Sequence, residues 1–108
     1  MLDKKLSYKD KSVLVTYLAK SYINSVRRVE IMQFKGISEK DTQYLGEISS
    51  INLINAVIEQ CSSTSQIILR NEYFGKRETK WFLEYFSKSN FYRLRKVAIE
   101  EFIDCLNI

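Results

Sequence analysis

The feature that most constrains the fold is the near absence of residues that interrupt helices. The chain of 108 residues contains no proline and only three glycines, Gly36, Gly46 and Gly75. Because proline breaks a helix and glycine weakens one, this composition favours long helices with few connections. Apolar residues recur at steps of three and four, and no segment alternates with a period of two. The sequence therefore predicts an all-α fold.

The apolar spacing divides the chain into a long N-terminal helix and a C-terminal helical bundle. The predicted helices are Ser12–Phe34, Glu47–Gln60, Ser62–Phe74, Lys80–Tyr85 and Lys88–Leu106. We expect Ser12, Thr79 and Ser87 to cap the first, fourth and fifth helices, and Gly75 to end the third. The polar segment from Lys35 to Gly46 is predicted to be a loop.

The length suits one domain, residues 1–108, with a core that needs no disulfide or metal. Residues 1–46 form its N-terminal helix and polar loop, and residues 47–108 form the bundle. A short helix, a tight turn at Phe86-Ser87 and a longer helix are typical of a helix-turn-helix, predicted here at about 79–106.

The first helix carries more apolar surface than one core contact needs. Its main stripe consists of Val15, Leu18, Tyr22, Val26 and Val29. Off that stripe lie Leu14, Tyr17, Ile23, Ile31 and Met32. Such a helix either is wrapped on two sides by its own domain or contacts a partner. We predict an intermolecular contact, and favour a second copy of the chain over RNA polymerase as the partner.

Several function classes are disfavoured by composition. The chain has no histidine and two cysteines, Cys61 and Cys105, which are expected to be buried thiols, so a zinc site and the commonest general base are lacking. No glycine-rich phosphate loop or carboxylate pair is present, and we expect no enzyme activity, metal or cofactor. No run approaches the roughly 20 apolar residues of a membrane span, and the N-terminus lacks a signal core. A cytoplasmic protein without membrane contact is expected.

Positive charge is concentrated in one stretch of the sequence. Seven basic and two acidic residues lie between Lys76 and Lys96, a local charge of +5. Since the whole chain carries +4, the remainder carries −1. A localised excess of this kind is typical of a surface that faces phosphates.

The last helix separates an apolar face from a basic face. On a wheel of about 100° per residue, Leu94, Ala98, Phe102 and Cys105 lie within about 60° of Phe91 and form a core stripe. The opposite and flanking positions are Lys88, Ser89, Asn90, Tyr92, Arg93 and Lys96. These six side chains are the candidate contacts to double-stranded DNA, because recognition helices present their N-terminal residues to the major groove. The acidic Glu100, Glu101 and Asp104 should confine contact to Lys88–Lys96.

The C-terminal sequence resembles a known family. The run SKSNFYRLRKVAIEEF, from Ser87 to Phe102, resembles the terminal signature of ArpU-type phage transcriptional regulators. The run SQIILRNEYF, from Ser65 to Phe74, resembles the preceding helix of that family and of the promoter-reading region of sigma factors. Glu84 stands where the family usually has leucine, and the turn lacks the frequent glycine, so Leu83 and Phe86 are expected to supply the packing there.

The resemblance implies a phage or prophage regulator of late genes that acts on promoter DNA and through RNA polymerase. It implies the same DNA-facing positions as the wheel. The alternative hypothesis is a helical protein-interaction module, an anti-activator or a phage assembly adaptor, which the broad apolar surface of Ser12–Phe34 favours. Such a module has no need of Arg93 and Lys96 beside a helix N-terminus.

Overall fold

The predicted all-α fold is confirmed by a computed structural model, which describes residues 6–37 and 40–106. In these ranges the chain forms helices and no strand. The α-helices are α1 (Tyr8–Phe34), α2 (Thr42–Glu59), α3 (Ser63–Ile68) and α4 (Lys88–Leu106). A π-helical turn, Leu69–Tyr73, continues α3, and a 3-10 turn, Trp81–Glu84, precedes α4. None of the helices described has the length and apolarity to cross a membrane.

Helix α1 begins one turn earlier than the sequence predicts. The Ser7 side chain accepts a hydrogen bond from the backbone N–H of Asp10 at 3.1 Å, and therefore caps the helix. The prediction of Ser12 as the cap is wrong, because the helix continues through Tyr8, which packs on the main core, and through the charged residues from Lys9 to Lys11. Cap chemistry, not hydrophobic periodicity, sets this boundary.

The connection between α1 and α2 is shorter than predicted. Gly36 has a φ of 73°, and its N–H bonds to the Gln33 carbonyl while the Ile37 N–H bonds to the Met32 carbonyl. This Schellman motif requires the left-handed conformation that glycine adopts freely. The predicted loop up to Gly46 was wrong, because Asp41 caps α2 by accepting from the N–H groups of residues 43 and 44 and Gly46 lies inside the helix. Residues 38 and 39 of that loop lie outside the described residues.

Polar pairs hold α2 against α1. The Glu47 carboxylate accepts hydrogen bonds from the buried Ser25 hydroxyl at 2.9 Å and from the Arg28 guanidinium. The Arg28 hydrogen bond holds the pKa of Glu47 below its ordinary value. Further along, the Asn55 side-chain oxygen accepts from the Tyr22 hydroxyl at 3.0 Å and from Arg70 at 2.7 Å. Asn55 therefore ties α1, α2 and the π-helical turn together.

The predicted third helix is present but changes its winding midway. Ser62 caps α3, and from Leu69 the hydrogen bonds widen to the π pattern, so that the Phe74 N–H reaches the Leu69 carbonyl at 2.8 Å. The segment ends before Gly75, as predicted. Ile68, Leu69 and Phe74 are buried, whereas Ile67 and Tyr73 are only half-buried.

Most buried side chains form one main core in which α4 packs against α1, α2 and α3. Its largest fully buried members include Phe91, Phe102, Ile58 and Ile68. A second cluster of Val29, Met32 and Tyr44 joins the C-terminal end of α1 to the start of α2. Met32 was predicted to lie off the apolar stripe, but the second cluster buries it because α2 begins early enough to bring Tyr44 over it.

The remaining off-stripe side chains of α1 divide into two groups. Leu14 and Ile23 are half-buried, and Leu14 packs on the main core. Tyr17 and Ile31 are 67 % and 53 % exposed. The fold therefore wraps part of the apolar excess and leaves Tyr17 and Ile31 on the surface.

Candidate nucleic-acid interface

The start of α4 is fixed by its cap and its first buried side chain. The Asn90 N–H donates to the Ser87 hydroxyl oxygen at 3.3 Å, and the Phe91 N–H donates to the Ser87 carbonyl at 2.9 Å. The cap and the helix Lys88–Leu106 are both as predicted. The capped N–H groups and the positive end of the helix dipole lie at the beginning of the basic face.

The element before α4 differs from the prediction. The expected helix Lys80–Tyr85 is a single 3-10 turn, Trp81–Glu84, and Thr79 does not cap it. Lys80 occupies the cap position with a φ of 55° and no side-chain cap hydrogen bond. The side chains of Trp81, Phe82 and Phe86 pack on the core.

Aromatic packing sets the rotation of α4 about its axis. The rings of Phe82 and Phe91 are stacked with centroids 4.1 Å apart, and Trp81 meets Phe91 edge-on at 5.5 Å. Phe86 is half-buried against the core, as predicted, but Leu83 is 56 % exposed and its predicted packing role was wrong. Because the 3-10 turn presents Phe82 to the core, Leu83 points outward.

All six predicted DNA-facing residues are exposed along the N-terminal half of α4. They are Lys88, Ser89, Asn90, Tyr92, Arg93 and Lys96. Their spacing in a continuous helix places most of them on the side opposite Phe91 and Ala98, which are buried. The arrangement offers cations, hydroxyls and an amide on one helical surface, which are the groups that bind phosphates and base edges.

Two of these side chains are already in contact with neighbours. The Lys96 ammonium lies 5.3 Å from the centroid of the Tyr8 ring at the start of α1. The Arg95 guanidinium lies 5.0 Å from the centroid of the exposed Tyr92 ring. Both contacts are cation–π interactions that restrict the aromatic and basic groups of the face.

Glu72 and Arg95 support the face, and neither is among the residues that the sequence predicts for the interface. The Glu72 side chain is 6 % exposed and lies 3.7 Å from Arg95, 3.1 Å from Arg77 and 2.9 Å from the Trp81 indole nitrogen. The helical wheel places Arg95 on the core side of α4, four residues after Phe91. A cation at such a position requires a partner, and this could have indicated an ion pair. Glu72 had no comparable signal, because its partners are five to 23 positions away.

The acidic half of α4 takes part in tertiary contacts. Glu100 pairs with Lys11 of α1 at 3.1 Å. Glu101 accepts hydrogen bonds from the Ser62 backbone N–H and from the Ser65 hydroxyl at the start of α3. Glu101 thus adds a second acceptor to the N-terminus of α3, where negative charge is favourable. Asp104 is exposed.

The buried side of α4 is broader than the predicted stripe. Phe91, Ala98 and Phe102 are buried as predicted, but Leu94 and Cys105 are only half-buried. Ile99 and Ile103, which lie outside the predicted stripe, are also buried. The reason is that α1, α2 and α3 all contact this helix, so its C-terminal half is enclosed from more than one direction.

The two cysteines lie side by side where the ends of α2 and α4 meet. Their sulfur atoms are 3.9 Å apart, and both thiols are free. Burial, and then the neighbouring Cys105 thiol, raise the pKa of Cys61 to about 12. Cys61 is buried as predicted, and Cys105 is half-buried. Among the residues described, no cluster of three or more potential ligands is arranged to hold a metal ion.

The fold and the exposed residues define an all-α protein with a basic, aromatic-containing helix surface. No protein-family model matches the chain, and no curated protein and no solved structure is significantly similar to it. The resemblance of Ser87–Phe102 to ArpU-type regulators therefore stays a prediction.

Proposed function

We propose that this protein is a DNA-binding transcriptional regulator that places the N-terminal half of α4 in the major groove. The observation that carries the proposal is the common exposure of the six polar and basic residues from Lys88 to Lys96, on a helix whose other side is buried. An α-helix fits the major groove, and the basic side chains at its N-terminal end reach base edges and phosphates there.

The chemistry of the individual residues supports sequence readout as well as phosphate binding. Arg93 can donate two hydrogen bonds to guanine, and Asn90 can pair with adenine. Lys88 and Lys96 suit phosphate contacts, which fix position without reading sequence. The phage or prophage context and the contact with RNA polymerase belong to this proposal through the ArpU-type resemblance. No catalytic role, cofactor or metal is part of it, and its place is the cytoplasm.

A retardation assay with duplex DNA tests the proposal. Arg93→Ala should weaken binding, while Lys35→Gln, which removes an exposed charge outside α4, should bind as the wild type does. Selection from a random duplex library should then yield a preferred site whose enrichment depends on Arg93. Equal retardation of the wild type and Arg93→Ala would contradict the proposed role of α4.

The alternative, a helical interaction module without DNA binding, is favoured by the exposed apolar side chains of α1. Tyr17 is 67 % exposed and Phe34 is 93 % exposed. These residues are also compatible with DNA binding by a dimer, because one recognition helix contacts too few base pairs to define a unique site and paired half-sites supply the remainder. We therefore propose a second copy of the chain as the partner of α1.

A further inference from the structure

A cleft of about 490 Å³ opens beside the N-terminal end of α4. Lys88 and Tyr92 of α4 line it, together with Arg77, Lys80 and Trp81 from the segment that precedes this helix. Arg77 and Lys80 are not among the predicted DNA contacts. The cleft therefore joins the predicted interface to cations that the helical wheel does not include.

Contacts to the Glu72 carboxylate hold the cleft's shape. The Glu72 carboxylate accepts hydrogen bonds from Arg77 at 3.1 Å and from the Trp81 indole at 2.9 Å. Arg95 lies 3.7 Å from the same carboxylate. Because two guanidinium groups face Glu72, its negative charge is compensated and does not repel an anion in the cleft. Glu78 is the other carboxylate of the lining, and it is exposed.

Two lysines, Lys80 and Lys88, line the cleft. Within residues 6–37 and 40–106, neither Lys80 nor Lys88 forms an ion pair. Lys80 also has a φ of 55°, and it is the one residue other than glycine in those ranges with a positive φ. A long cationic side chain at such a position is unusual, because glycine, asparagine and aspartate are the residues that favour it.

We propose that this cleft binds a phosphate group of the DNA backbone between Lys80 and Lys88, as a second DNA contact beside α4. The inference rests on the proposed function, since it concerns the same DNA. Two ammonium groups that form no ion pair among the described residues supply the charged donors that a phosphate requires. Residues 76–80 lie between the π-helical turn and the 3-10 turn that precedes α4, so a phosphate contact there would flank the groove contact of α4.

Lys80→Asn is the variant that tests the cleft, because it removes the charge and leaves a residue that tolerates the positive φ. The matched control is Lys35→Gln, which removes an exposed charge outside α4 and outside the lining of the cleft. Binding of a short duplex DNA is measured by fluorescence anisotropy at several salt concentrations for the wild type and both variants.

The wild type should lose affinity as salt rises, and Lys80→Asn should reduce the slope of log K against log salt by about 0.9. The loss of affinity between 50 and 200 mM salt should then be about three- to fourfold smaller than in the wild type. Lys35→Gln should leave the slope unchanged. The thermal midpoint of Lys80→Asn should match that of the wild type, which shows that the cleft has not unfolded.

The outcomes separate the two proposals. If the wild type binds and Arg93→Ala weakens binding, but Lys80→Asn has the same slope as Lys35→Gln, the cleft does not bind phosphate and the role of α4 stands. If the wild type does not bind duplex DNA at any salt concentration, both proposals are overturned.

Discussion

At the scale of single residues, the phase of α4 decides which side chains belong to the core and which face solvent. Phe91 is 2 % exposed and stacks on Phe82, whereas Arg93, two positions later, is exposed. Residues two positions apart on a helix lie about 200° apart, so these two must behave oppositely when truncated.

Phe91→Ala should lower the free energy of unfolding by about 3–5 kcal/mol, because it removes a buried ring and leaves a cavity. Arg93→Ala should change it by no more than about 0.5 kcal/mol, since no described contact is lost. Urea denaturation followed by circular dichroism gives both values. The helix phase would be wrong if Arg93→Ala unfolded the protein and Phe91→Ala did not.

Glu72 provides a second contrast at this scale. Glu72→Gln weakens the contacts to Arg77, Arg95 and Trp81 in a buried place, and we expect a loss of about 1–3 kcal/mol of stability. The emission of Trp81, the single tryptophan, should shift to the red as its indole becomes more hydrated. The matched control is Glu78→Gln, an exposed carboxylate in the same segment, which should change neither quantity. Equal behaviour of the two variants would show that Glu72 does not hold the cleft.

At the scale of the elements, Gly75 and Gly46 differ in the space that their surroundings leave for a side chain. A Cβ on Gly75 would collide with the Arg70 backbone carbonyl, where the π-helical turn ends. A Cβ on Gly46, inside α2, would meet no atom within 4 Å. The same substitution should therefore have opposite effects at the two sites.

Gly75→Ala should destabilise the protein by about 1–3 kcal/mol, because the backbone must move to admit the methyl group. Gly46→Ala should stabilise it by about 0.5–1 kcal/mol, because alanine costs less entropy in a helix. Thermal denaturation compares the two directly. Stabilisation by Gly75→Ala would show that the turn after Tyr73 is not closed as described.

The elements also show what the sequence can predict. Ser87 at the start of α4 and Gly75 after the third helix are local signals, and both were read correctly from their chemistry. The predicted start of α2, Glu47, is wrong. Its cap, Asp41, lies in a polar segment between two glycines that is typical of a loop, although aspartate is a common cap. The π pattern from Leu69 and the 3-10 turn at Trp81 depend on tertiary packing of aromatic rings, which periodicity alone does not specify.

For the candidate site, the helical wheel found the six exposed residues of α4, since these depend on helix phase alone. The contacts of Glu72 and the cleft beside these residues cannot be predicted from helix phase. Glu72 contacts Arg77, Trp81 and Arg95, which lie five to 23 positions later in the chain, so these contacts form only in the folded molecule. The cleft beside Lys80 likewise forms only on folding. Contacts between segments distant in sequence therefore account for what the wheel missed.

At the scale of the whole molecule, α1 carries several exposed apolar side chains, among them Tyr17 and Phe34, and α4 carries the basic surface. We predict that the wild type is a dimer at tens of micromolar in light scattering and that Tyr17→Lys is monomeric and folded, because a buried charge at the contact opposes association. Lys20→Gln on the same helix is the control and should stay dimeric. A monomeric wild type would contradict the proposal that α1 contacts a second copy of the chain.

The salt dependence of wild-type binding to duplex DNA, measured by fluorescence anisotropy, tests whether α4 binds DNA. If the α4 face and the cleft neutralise roughly five phosphates, log K should fall against log salt with a slope of about −4 to −5. Absence of binding at low salt, or binding whose affinity does not change with salt, would contradict a DNA-binding role for this helix.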